Sequence, residues 1–120
     1  MDSRTEELRE RTKEFPLRIL HLFRFLPRAV EAQIIGKQVL RSGTSVAANY
    51  RAACRARSRV EFVARIGVVA EEADETAFWI EFLADAKVMK KERLAKLLNE
   101  AHELTAIFTA SRKTAKKGNR

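Results

Sequence analysis

Four carboxylates crowd into Glu71, Glu72, Asp74 and Glu75, and the chain has two histidines, His21 and His102. Helical bundles build di-metal carboxylate sites from such residues when a Glu-x-x-His pair stands on each of two helices. Here the residues three before the histidines are Arg18 and Asn99, so the pattern fails and neither a metal nor another cofactor is expected. Nucleophilic catalysis has as little support. Cys54 and the group Ser42, Thr44 and Ser45 have no histidine nearby in sequence to act as base. Cys54 reads most simply as a small apolar residue closing a helix's packing face, and the histidines as surface or edge residues of other helices. No Gly-rich phosphate loop or dinucleotide fingerprint occurs, and the chain is not expected to be an enzyme.

The remaining polar chemistry is basic. Lys37, Arg41, Thr44, Ala48, Arg51 and Arg55 recur at spacings of four and three, which places them on one side of a helix, and Arg57 and Arg59 follow. If two helices run antiparallel about a turn near Arg57, residues equally far from the turn stand at the same height. That count sets Arg41 level with Ala73, within reach of Glu72, Asp74 and Glu75, so these four are expected to be architectural charge pairs. Nearer the turn it sets Arg51 opposite Val63 and Arg55 opposite Arg59, with no acidic cluster to pair them. Arg51, Arg55, Arg57 and Arg59 are therefore the candidate phosphate contacts, the alternative being an ordinary solvated face. No aromatic-rich sheet or groove-reading helix motif accompanies them, so any binding would follow charge and shape.

The elements that must carry these residues read as four helices. Ser3 and Glu6 have the spacing of a capping box, and Leu17, Leu20 and Phe23 give an apolar face after Pro16, which makes residues 4–14 either a kinked first half or a loose arm. Pro27 marks the exit. A second face runs through Val30, Ile34, Val39, Val46 and Tyr50, with Gly36 and Gly43 on the same side. Glycine inside a helix costs about 1 kcal/mol relative to alanine, so these two call for close approach by a neighbouring backbone. Ser58 and Glu61 form another capping box before Phe62, Ile66, Val69, Ala73, Thr76, Ile80 and Leu83. Phe78, Trp79 and Phe82 add a second apolar stripe to that helix, of the kind that contacts another subunit. A change of charge near Lys87 to Lys90 precedes Leu94, Leu97, Ala101, Leu104 and Phe108. Beyond Ala110 the residues are polar and basic, so 111–120 is expected to fray as a flexible tail in which Lys113, Lys116 and Lys117 offer a second phosphate contact.

With 120 residues, 46% of them hydrophobic, and only four Gly and two Pro, the chain fits a single all-α domain over 1–120, an antiparallel up-down four-helix bundle. A lone cysteine excludes an internal disulfide framework, and no basic start leads into an apolar signal segment, which fits the cytoplasm. The longest apolar runs fall far short of the roughly 20 residues that span a bilayer, so no membrane partner is expected. Net charge is +8, unevenly placed: residues 1–60 hold 13 Lys/Arg against 6 Asp/Glu, 61–89 hold 2 against 7, and 90–120 hold 9 against 3. A basic balance of this size favours an anionic partner such as nucleic acid.

The run Gln38-Val-Leu-Arg-Ser-Gly-Thr-Ser-Val-Ala-Ala-Asn49-Tyr-Arg-Ala-Ala, then Ser58 to Phe62, then Glu71-Glu-Ala-Asp-Glu-Thr-Ala-Phe-Trp79, resembles a bacterial four-helix bundle family. That family is named for open reading frames in 23S ribosomal RNA intervening sequences, and the likeness runs from about Phe15 to Phe108. The family is in turn similar to the accessory protein of diversity-generating retroelements, a basic homopentamer that associates with RNA and a reverse transcriptase. Where many relatives carry Glu-Gly after the asparagine, this chain has Arg51-Ala52-Ala53, a departure from the accessory-protein pattern. The resemblance implies a homopentameric ring that would bury both greasy sides of the third helix. It also implies binding to structured RNA, or alternatively a scaffold for a protein partner such as a reverse transcriptase, and it assigns no catalytic residue.

Overall fold

The computed structural model of the chain describes residues 3–118; the two residues at either end of the expected 1–120 domain lie outside them. α1 spans Ser3–Arg24, so Ser3 is itself helical, one residue inside the cap position that its spacing to Glu6 predicts. The helix runs on through Pro16, which has no N–H to give the Thr12 carbonyl. Its apolar residues offset that loss, since Phe15 and Ile19 are fully buried. Residues 4–14 are thus the first half of α1 and not an arm. Leu8 packs against the core, and the Thr12 hydroxyl is held by the carbonyls of Leu8 and Arg9 at 2.9 Å each.

α2, Val30–Cys54, packs along α1 through its glycines. A Cβ on Gly43 would sit 2.7 and 2.9 Å from Ile19 Cγ1 and Cγ2, and one on Gly36 would sit 2.5 Å from Leu26 Cδ1. The close approach that two helical glycines call for is therefore filled by apolar side chains of α1 and the turn after it, not by backbone.

α3, Arg59–Asp85, starts at the expected cap: Ser58 Oγ accepts from the Glu61 amide at 3.0 Å. The reciprocal bond is shifted by one residue, because the Glu61 carboxylate accepts from the Arg57 amide at 3.1 Å instead of from the Ser58 amide. The exit from α3 is a Schellman motif. Lys87 adopts a left-handed φ of 58°, its amide donates to the Ala84 carbonyl, and the Val88 amide donates to the Leu83 carbonyl, both at 3.0 Å.

α4, Lys91–Lys117, continues past Ala110, where the sequence places its end. Ser111 and Ala115 are half-buried and line a groove shared with α1, and the Arg112 side chain lies over Gly67 of α3. The expectation of a fraying tail is corrected: no helix breaker intervenes before Gly118, and α4 runs on to it. Lys113, Lys116 and Lys117 therefore project from a helix.

Every regular element among the described residues is an α-helix, and consecutive helices pack antiparallel into a bundle 52 Å long and 25 by 20 Å across. Its core is a single cluster running from Leu26, Leu83 and Leu94 at one end to Ala53, Ile66 and Phe108 toward the other. No described helix is long and apolar enough to cross a membrane. This topology gathers the start of α1, the end of α2, the start of α3 and the end of α4 at one end of the bundle, where the arginine-rich segments meet.

Candidate nucleic-acid interface

Spacing of four on two neighbouring helices builds a basic groove. Arg51 in the last turn of α2 and Arg55, its C-cap, are exposed, and so are Arg9 and Lys13 in the first half of α1. Between them lies an open groove of about 730 Å³ whose floor includes Pro16, Ala47 and Tyr50, and among the described residues no carboxylate lines it. A second groove of about 420 Å³ adjoins it, lined by Arg51 and Arg55 again together with Arg57, Arg65 and Glu61. Among the described residues none of Arg9, Lys13, Arg51, Arg55 and Arg57 has a carboxylate within ion-pair distance. The turn end holds no acidic cluster among the described residues, as the sequence count expects, but it has one carboxylate. Glu61 stands there, spent on the Arg57 amide and on Arg65 at 3.7 Å.

Arg59 and the α4 lysines are placed elsewhere at the same end. An Arg59 Nη lies 3.6 Å from where a Gly118 Cβ would be, so Arg59 reaches the end of α4 and stays outside both grooves. Lys113, Lys116 and Lys117 are exposed on the last turns of α4. The seven candidate cations thus form one basic end of the bundle, with Arg51 and Arg55 shared by both grooves.

Cys54 is exposed, contrary to the packing role expected of it; Ala53, one residue back, takes the core position. Its thiol neighbours the Tyr50 hydroxyl, whose pKa is pushed up to about 12 by burial first and then by the Cys54 contact, with Arg9 opposing. The Tyr50 ring packs against Phe108 at a centroid distance of 5.4 Å, which fixes this wall of the groove to the core. His21 lies far along α1 beside Phe25, at the other end of the bundle, so it and Cys54 do not meet. His102 stands 3.5 Å from Glu81 on the surface. Among the described residues no three of His, Cys, Asp and Glu gather in a group able to hold a metal ion.

Away from the basic end, Arg41 bridges α2 to α3 by an ion pair with Glu72 at 3.4 Å and a short hydrogen bond to Glu75. Glu75 also accepts from the Trp79 indole at 3.0 Å; this bond first, and then Arg41, holds its carboxyl below the usual range. Asp74 takes no part. At 100° per residue it turns away from the face shared by Glu72 and Glu75, and it is exposed and unpaired among the described residues, which corrects its assignment as an architectural partner.

A second clasp escapes the sequence pattern. Arg11 of α1 gives Glu100 of α4 a two-pronged bond at 2.7 and 3.0 Å and reaches Glu103 at 2.7 Å, and these bonds, Glu100 foremost, raise its pKa further above its already high value. Its residues are 89 apart in sequence, and α1 and α4 share no turn from which to count. Arg9 and Lys13 are likewise missed by sequence. Their spacing of four is visible, but the register of α1 on α2 that sets them across from Arg51 and Arg55 is not.

The comparisons agree with this architecture. The family model described as the 23S rRNA-intervening sequence protein matches residues 4–110. A crystal structure of a protein of unknown function from the S23 ribosomal protein family of Bacteroides thetaiotaomicron VPI-5482 is 33% identical, with a TM-score of 0.82 over 88% of this chain and 98% of that one. No curated protein matches. Neither description names a catalysed reaction. By fold, by motif and by this match over most of its length, the chain belongs to the 23S rRNA-intervening sequence protein family.

Proposed function

We propose that this protein is a non-enzymatic, cytoplasmic bundle that assembles as a ring of five copies and binds structured RNA by charge and shape. One observation carries the RNA half: Arg51 and Arg55 serve two adjoining grooves, face Arg9 and Lys13, and have no carboxylate partner among the described residues. Cations left unpaired at one end release condensed counterions when they meet phosphate, a driving force indifferent to base sequence. The family's description, tied to ribosomal RNA, favours RNA over DNA as the polyanion.

Salt dependence tests the reading. Affinity of the intact assembly for a structured RNA should fall linearly on logarithmic axes as salt rises. The double variant Arg51→Ala/Arg55→Ala should flatten that slope by about one unit for each phosphate that is no longer neutralised. Undetectable binding at low salt would overturn it. That result would favour the competing reading, a scaffold for a protein partner such as a reverse transcriptase, which draws on the exposed aromatic stripe of α3.

A further inference from the structure

Two bare apolar faces lie on opposite sides of the bundle at the same height. The first is on α3, where Phe78 and Phe82 are 53% and 41% exposed and stack at 6.2 Å, with Trp79 edge-on to both. Ile34 of α2, 58% exposed, belongs to the same side. It lies two turns before Arg41, and Phe82 lies two turns after Glu75; on antiparallel helices joined by the Arg41–Glu75 bond both displacements point the same way. Carboxylates surround the aromatics at helical spacing: Glu71, Asp74 and Asp85 are exposed and, among the described residues, unpaired, and Glu75 is shared with Arg41.

The second face is the groove of about 440 Å³ between α1 and α4. Leu17 and Phe25, 64% and 57% exposed, line it with Met89, and the cations Arg18, Arg93 and Lys96 rim it against a single carboxylate, Glu14. None of these three cations is ion-paired among the described residues. Leu17 belongs to the second half of α1, which runs parallel to α3, Phe25 directly follows its last residue, and Arg93 and Lys96 belong to the first half of antiparallel α4. All therefore stand level with Phe78 and Phe82. The helices pack in the order α1, α2, α3, α4, so the α1–α4 seam lies across the bundle from the outer side of α2 and α3.

An acidic aromatic face and a basic apolar groove, distinct, complementary and level, are the two halves of a heterologous contact. Repeated by rotation about an axis along the bundle, such a contact makes a ring when the rotation closes and an open filament when it does not; a two-fold dimer would need one self-complementary patch. We propose that the Phe78–Phe82 face of one copy docks into the α1–α4 groove of the next, head to tail. This deepens the assembly half of the proposed function and rests on it.

Mixing two variants tests it. Phe78→Asp/Phe82→Asp damages the face and keeps the groove, whereas Leu17→Asp/Phe25→Asp damages the groove and keeps the face. All four side chains are exposed, Phe82 least at 41%, and none is part of the buried core, so both variants should keep the helical circular dichroism of the parent chain. Each alone should be monomeric by native mass, its assembly weakened on the order of 30-fold or more, the size of an interface hot spot. Mixed, they should form a heterodimer of one copy each and stop there, because the pair has one sound contact to use. A second pair of variants reads charge alone: Arg93→Glu/Lys96→Glu should weaken assembly, and adding Glu71→Lys/Asp85→Lys should restore it. A parent chain that stays monomeric at all concentrations would overturn the assembly reading itself. A parent that assembles while the groove variant assembles equally well, or a mixture that gives no heterodimer, would overturn this interface alone.

Discussion

The Thr76 hydroxyl meets the Ser42 hydroxyl at 2.9 Å in the fully buried seam between α2 and α3. Each also has a carbonyl of its own helix within reach, Gln38 for Ser42 at 3.0 Å and Glu72 for Thr76 at 2.7 Å. A polar bond inside an apolar seam fixes the height of one helix on the other, and it lies beside the Arg41 clasp. Ser42→Ala and Thr76→Val should each cost about 1 kcal/mol in denaturant unfolding. The double variant should cost less than their sum by roughly 0.5–1 kcal/mol, since the second change removes a bond already broken. Strict additivity would mean that the two hydroxyls do not interact.

Two glycines of similar helical context should respond in opposite directions to alanine. At Gly43 the new methyl would press on the β-branched Ile19 at 2.7 and 2.9 Å, atoms that have no free rotamer to yield. Overpacking should outweigh the gain in propensity and leave Gly43→Ala about 1–3 kcal/mol less stable. At Gly67 the nearest atom is Arg112 Nε at 3.0 Å, part of a long side chain that can swing aside. Gly67→Ala should therefore stabilise by up to about 1 kcal/mol in the same assay.

Lys87 holds a left-handed φ of 58° that a side chain tolerates poorly. Lys87→Gly should keep both Schellman bonds and raise stability by about 1 kcal/mol, seen as a higher melting temperature with unchanged helix content. A drop in stability would show that the lysine side chain contributes more than its backbone strain removes.

Acid should loosen the α2–α3 seam through Glu75. Its carboxyl is held below the ordinary 4.5, so the folded state binds that proton less readily than the unfolded state. The stabilising contribution is present above about 4.5 and is lost as pH falls through the lowered folded value. Arg41 stays charged throughout this range. Glu75→Gln should lower stability at neutral pH and flatten the acid limb of a stability-versus-pH curve; an unchanged limb would count against the seam as the acid-sensitive element.

How much of this is legible in sequence depends on where the reference points lie. The helix count follows from apolar spacing, and Arg41 can be aligned with the acidic run because α2 and α3 share a turn from which both can be counted. Arg11 and Glu100 have no such origin: their contact depends on how the first and last helices close the bundle, which follows from packing all four. The exit of α3 is visible only as a change of charge, because a lysine occupies the left-handed position where glycine would have announced the turn. The basic end is half legible. Arg51 and Arg55 stand out, while their counterparts Arg9 and Lys13 look like an ordinary helix surface until the groove places them opposite.

The alternation of the four helices has an electrical consequence for that end. Two helix N-termini and two C-termini come together there, and their fractional charges of about +0.5 and −0.5 cancel in pairs. The backbone therefore gives that end no net charge to attract an approaching polyanion. Whatever attraction exists is written in side chains alone, so surface substitutions can reverse the sign of the end while every helix stays where it is.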